Sequence, residues 1–136
     1  MRRNILAYAA GILVTVVTIM LVQSVGHQVF PVDGDVDINV HDTDAMRDYM
    51  AALPAGAILF VAAAWVAGVI AGNAVAMRIG RLKRIYFSTV ITSFVLAGAV
   101  SQFFLVPHPT WFIVVSVVGI IAAGVVSLRL PSGQIA

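Results

Sequence analysis

The sequence predicts an all-α fold: a four-helix transmembrane bundle with both termini on the cytoplasmic side and a short amphipathic helix in the first extracytoplasmic loop. Three observations predict it. First, hydrophobic residues make up 61% of the 136 and charged residues only 10%, where a soluble domain carries about a quarter charged. Second, stretches free of Asp, Lys and Arg run from Asn4 to Val32, Tyr49 to Met77 and Ile85 to Leu128, and a helix of about 20 apolar residues is enough to cross a bilayer. Third, of the eight Lys and Arg, only Arg47 lies among the six Asp; Arg2, Arg3, Arg78, Arg81, Lys83, Arg84 and Arg129 fall on the other side of the spans. That bias marks the basic side as cytoplasmic and argues against a dual-topology protein.

The same composition closes off several kinds of function. There is no Cys, which removes disulfides, thiol chemistry and cysteine metal sites. No Glu occurs anywhere, and no charged residue falls inside a span. Proton- or cation-coupled transporters keep such a residue for use. The three His sit at span margins rather than paired within helices, so a haem held across the bundle is not expected. The net charge of +2 comes from residues at span ends, not from one basic face. It is a topology signal, and no nucleic-acid partner and no cofactor are expected.

Arg2 and Arg3 followed by apolar Ile5–Val25 have the outline of a signal peptide, but the run is longer than a usual h-region and the Ala7–Ala9 pair comes too early for cleavage. It is read as a retained first span, about 5–26. Thr15 and Thr18 within it can bond back to the carbonyl one turn earlier. Gln23, Ser24, His27 and Gln28 make its outer end polar. The loop of about 27–54 carries Asp33-Gly34-Asp35, a turn signal, and then a period-two alternation through Val36, Ile38 and Val40. From about Asp44, the apolar residues Ala45, Met46, Tyr49, Met50 and Leu53 form a stripe on a helix whose other side holds Asp44, Arg47 and Asp48. Pro54 ends it or opens the next span.

The second span, about 55–77, contains Trp65 deeper than an aromatic belt. Its Gly68, Gly72 and Ala76, four residues apart, allow close helix approach. The short basic connection after Met77 makes the second and third spans antiparallel neighbours. The last uncharged stretch is twice the length one crossing needs, and Pro107-His108-Pro109 divides it into spans of about 85–106 and 111–129. Tyr86-Phe87 and Trp111-Phe112 suit the two interfacial belts. Ser101 and Gln102 lie near the outer end of the third span. Gly119, Ala123 and Ser127 repeat the small-residue seam in the fourth. Two seams make a homo-oligomer, or a complex with another membrane protein, an expectation. The whole of 1–136 reads as one integral membrane domain.

Three groups of residues are candidate sites. His27, Asp33, Asp35, Asp37 and His41 carry metal-ligating atoms, but the run lacks a calcium loop's length and terminal Glu, so a solvated acidic loop is the expectation and no metal is assigned. Gln23, Ser24, His27, Gln28, Ser101 and Gln102 can converge into a shallow cavity floored by Trp65, polar above and apolar below, suited to a lipid headgroup or small amphipathic ligand; bonding across helices to close the bundle is the alternative. Arg78, Arg81, Lys83 and Arg84 can contact anionic lipid phosphates.

One stretch resembles a known group. HQVFP at 27–31 is followed by an Asp-rich loop, Ala52-Leu53-Pro54, Ala64-Trp65, Gly68 and Gly72. Together these resemble a group of small, uncharacterised bacterial inner-membrane proteins with a His and Pro after the first helix, an ALP before the second and an AW–G–G pattern within it. Asn73 stands where that pattern carries a further Gly. The resemblance spans about half the chain and implies a multi-pass protein of the bacterial inner membrane, with no activity attached.

Three readings of function remain, in order. The first is a non-enzymatic membrane protein that binds a lipid, a small amphipathic ligand or a membrane partner. The second is a small oligomeric channel or facilitative transporter lined by Thr, Ser, Asn and Gln. The third is an outer-face enzyme using His27 with an Asp, for which no catalytic residue can be assigned.

Overall fold

A computed structural model describes residues 1–31 and 43–131. Among them are five α-helices: α1 (Arg2–Val29), α2 (Thr43–Ala52), α3 (Ala55–Ile79), α4 (Arg84–Leu105) and α5 (Thr110–Ser127). All but α2 are long and apolar enough to cross a membrane. The expected alternation at Val36–Val40 lies outside the described residues.

Local chemistry explains the boundaries. α1 runs three residues beyond the expected end at 26, through the polar residues to Val29, because nothing breaks a helix before Pro31. Pro54 and Pro109, with φ −59 and ψ 143 and 144, occupy the N-cap positions of α3 and α5; a proline there has no N–H to leave unpaired. α4 stops at Leu105 because Val106 precedes Pro107 and takes the extended backbone, φ −128 and ψ 129, that a following proline demands. α5 ends at Ser127, before the expected 129, and Leu128, Arg129 and Leu130 close it in a tight turn.

The backbones of α1 and α5 are not neighbours. They flank α3 and α4, each of which packs on all the other long helices. α3 and α5 run parallel, with Gly119 beside Val66. α1 and α4 run the other way. The start of α1 and the turn after α5 both meet the α3–α4 turn: Arg3 donates to the Ile79 carbonyl, the Asn4 side chain accepts from the Arg81 N–H, and the Arg84 guanidinium donates to the Leu130 carbonyl. The start of α1 and the end of α5 therefore share one end of the bundle, and α2 lies at the other.

The tightest contact is α1 against α3. Gly72 carries no side chain where α1 passes: a Cβ there would stand 2.7 Å from the Gly11 carbonyl oxygen and would overlap the Thr15 hydroxyl. That hydroxyl is held in place by its bond to the same carbonyl, 2.8 Å. Gly68 receives Ile19 in the same way. The α3 seam is thus occupied by α1 of the same chain. On α5, Gly124 faces Thr92 and its carbonyl accepts from Ser88 at 2.7 Å, while Ala123 is buried in the core. At Gly80 too, the Phe87 ring fills the space a side chain would take.

Apolar packing falls in two clusters. One, toward α2, gathers Trp65, Val69, Val95, Phe112 and Ile120 among others. The second, toward the termini, gathers Ala7, Ala76, Met77, Phe87 and Ile91. Between them Asn73 on α3 and Thr92 on α4 turn polar groups inward, and neither finds a protein hydrogen-bond partner among the described residues.

Replacing Gly72 with Ala forces α1 and α3 apart and should cost about 1–3 kcal/mol, the usual range for overpacking. Gly98→Ala, where a Cβ meets nothing within 4 Å, should be neutral or stabilise by up to about 1 kcal/mol through helix propensity. Thermal unfolding of both variants in mild detergent checks the contrast.

Candidate functional site

At the α2 end the helices line a partly open cavity of about 340 Å³. α1 contributes Gln23, Gly26 and His27, with Phe30 just beyond its end. α2 contributes Tyr49 and Met50, with Leu53 just beyond its end; α3 contributes Ala57, Ile58, Phe60, Val61 and Trp65. Gln102, Val106, His108 and Phe112 complete the lining from α4, the Pro-His-Pro turn and α5.

Two aromatic groups shape the walls. Trp65 lies 5.8 Å from Phe112 and 5.9 Å from Phe103, ring centre to ring centre. His108 stacks on Phe112 at 5.1 Å with the planes 16° apart. The second group is the edge-on pair Phe30 and Phe60, 5.9 Å apart. Glycine recesses hold that pair: Phe60 fits over Gly26, and Phe30 over Gly56. Both phenylalanines are thus fixed by close helix approach, not by a pocket of large side chains.

Among the described residues, those lining the cavity include no Asp, Lys or Arg. His27 and Gln102 are exposed and Gln23 is half-buried. His108 bonds through Nδ1 to the Val106 carbonyl at 2.7 Å. A carbonyl only accepts, so Nδ1 carries the proton and Nε2 of the neutral ring is an acceptor. Burial pushes the His108 pKa below its ordinary 6.5, partly offset by that hydrogen bond.

Of the polar residues expected to converge, Gln23, His27 and Gln102 line this cavity, with Trp65 buried beside them. Ser24, Gln28 and Ser101 do not. All three are exposed, and the two serines donate to carbonyls one turn back in their own helices, Met20 and Ala97. Asp33, Asp35, Asp37 and His41 lie outside the described residues, and among the described ones no three His or Asp side chains come together as a metal site. Asp44 and Asp48 are exposed and line no part of the cavity with His27. Of the four basic residues at the α3–α4 turn, Arg78, Arg81 and Lys83 are exposed. Arg84 is instead turned inward, with Nε 3.4 Å from the Met77 sulfur and its guanidinium on the Leu130 carbonyl.

The aromatic walls were the part that residue patterns did not disclose. Phe112 sits next to Trp111, and the pair suits a membrane-surface belt. Only Trp111 is exposed, at 43%, whereas Phe112 is fully buried. Tyr86 and Phe87 divide in the same way, 53% against 0%. Neighbours on a helix point about 100° apart, so one of two adjacent aromatics faces lipid and the other the core.

No family model, curated protein or solved structure matches the chain.

Acidification should expose the His108 contribution. Its folded pKa lies below the unfolded one, so the unfolded chain binds the extra proton more readily, and the stability tied to the neutral ring is lost as pH falls through 6.5. The thermal midpoint of the wild type should drop more between pH 7 and pH 5 than that of His108→Phe, which keeps an aromatic ring on Phe112 and cannot titrate.

Proposed function

We propose that the chain is a non-enzymatic, multi-pass protein of the bacterial inner membrane that binds a small, uncharged amphipathic molecule in the cavity at the α2 end. In this reading both termini and the α3–α4 turn are cytoplasmic, and the cavity opens at the outer side. The charge distribution supports that orientation: Arg2, Arg3, Arg78, Arg81, Lys83, Arg84 and Arg129 all belong to one end of the bundle, and Arg47 belongs to the other. α2 is then an amphipathic helix at the outer membrane–water boundary. Its Met46 is buried, Tyr49 and Met50 are half-buried, and Asp44, Arg47 and Asp48 are exposed. An exposed ion pair such as Arg47–Asp44, 3.7 Å, adds little, so it is the apolar side that would hold this helix in place.

The observation that carries the reading is the lining itself. Its walls are aromatic and aliphatic, and its few polar groups come from α1, α2, α4 and the Pro-His-Pro turn. Small-ligand sites have this make-up, and volumes of roughly 300–1,000 Å³ are typical of them. The conduction reading draws less support, because the polar residues deep in the bundle, Thr15, Asn73, Ser88 and Ser127, are each at most 4% exposed and packed between helices. The enzymatic reading has His27 but no described Asp beside it in the cavity. Membrane lipids are the surrounding partner, with Arg78, Arg81 and Lys83 on anionic headgroups. The α3 seam faces α1, so self-association would have to use another surface.

Native mass spectrometry of the protein released from mild detergent should show one small neutral molecule per chain surviving gentle activation. Ala57→Trp, which places an indole in the cavity, should lose it while retaining helical content. A bare wild-type chain, or an adduct that persists unchanged in Ala57→Trp, contradicts the reading.

A further inference from the structure

We propose that the head of the bound molecule is a quinone-type ring, flat and uncharged, with carbonyl acceptors at opposite edges and an apolar tail. This rests on the cavity being a binding site and names what it takes. Charge narrows the choice first. A phosphate or carboxylate head calls for Arg or Lys, and an amine head for a carboxylate. Among the described residues the lining supplies neither, and enclosing an unpaired charge in an apolar wall is strongly unfavourable.

The polar groups narrow it further. Gln23 and Gln102 each offer an amide NH₂, and His27 offers a ring N–H; Gln23 and His27 stand on α1 and Gln102 on α4. Donors on two different helices match a head whose acceptors lie at two separate edges. A ring with two carbonyls has that pattern, and a single hydroxyl does not.

Shape and size agree. Trp65, Phe112 and His108, from α3, α5 and the Pro-His-Pro turn, and Phe30 and Phe60, from the end of α1 and from α3, give the cavity flat ring surfaces. A carbonyl-substituted ring is electron-poor and stacks well on an electron-rich indole. About 340 Å³ is near the lower end for ligand pockets. It accommodates a ring head and the start of one tail rather than two acyl chains. The proposal concerns binding alone, and no electron transfer is invoked.

The test uses Trp65 as its own reporter. The chain has two Trp, so Trp111→Phe leaves Trp65 alone, and the full-length variant in detergent micelles is titrated with decyl-benzoquinone. Saturable quenching at about one ring per chain is expected. Gln102→Leu and His27→Leu, each made at an exposed residue that the fold does not need, should each weaken the apparent affinity about tenfold. Quenching that rises linearly without saturating, as for a tryptophan octyl ester in the same micelles, overturns the proposal, and so does saturable binding that neither substitution changes. Decanoylglycerol, uncharged and ringless, separates the two levels of the argument. If it shifts Trp65 emission saturably while the quinone does not, the cavity reading stands and the ring assignment falls. If neither molecule acts on Trp65, both fall.

Discussion

Everything at the α2 end of this molecule depends on how closely α1 approaches α3. In a bilayer no hydrophobic effect drives helix against helix, because lipid tails are as apolar as leucine; packing and hydrogen bonds must do it. Here the approach is made by absent side chains. Gly72 admits the Gly11 carbonyl and Thr15, Gly68 admits Ile19, Gly26 admits Phe60, and Gly56 admits Phe30. The first two contacts set the helices together in mid-bundle. The last two carry the same interlock to the α2 end, where the inserted rings become a wall of the cavity. One packing device therefore links the helix pair to the geometry of the site.

The polar groups inside the bundle fall into two kinds. Thr15, Ser88 and Ser127 return their hydroxyl protons to backbone carbonyls. Only the Ser88 bond ties one helix to another, and such bonds average about 0.6 kcal/mol in membranes. Asn73, Thr92 and Ser116 are buried without a protein partner among the described residues. The polar groups at the cavity differ from both kinds: His27 and Gln102 are exposed, while the rings around them are not. An apolar interior with reachable hydrogen-bond donors at its rim is what an uncharged amphipathic molecule needs.

Much of this was legible in the residues, and the limit has a physical cause. Span number followed from hydropathy and the Pro-His-Pro break, since length and polarity decide whether a segment can cross. The short helix before Pro54 followed from the spacing of Met46, Tyr49 and Met50. Gln23, His27, Trp65 and Gln102 stood out as polar or aromatic residues at unusual depths. What could not be read was rotation about each helix axis. Phe112 and Phe87 looked like belt residues beside Trp111 and Tyr86, and Arg84 looked like Arg81 and Lys83. Their differences arise only when neighbouring helices are in place. Phe30 and Phe60 were hidden for a similar reason, because their partners are glycines 26 and 34 positions away, and an isolated Gly at Gly26 or Gly56 gives no sign of which ring it will receive.

The claim that this cavity is where an amphipathic molecule sits is most directly tested by covalent labelling in the membrane. An uncharged alkyl probe bearing a diazirine, photolysed in vesicles holding the protein and mapped by peptide mass spectrometry, should mark Met50, Phe60, Trp65 and Gln102 in a saturable way. An excess of unlabelled probe should protect those positions and leave the lipid-facing Leu13, Leu21, Phe104 and Val118, all more than half exposed, labelled as before. Labelling confined to that lipid-facing set, with nothing protected at the cavity, would contradict the account.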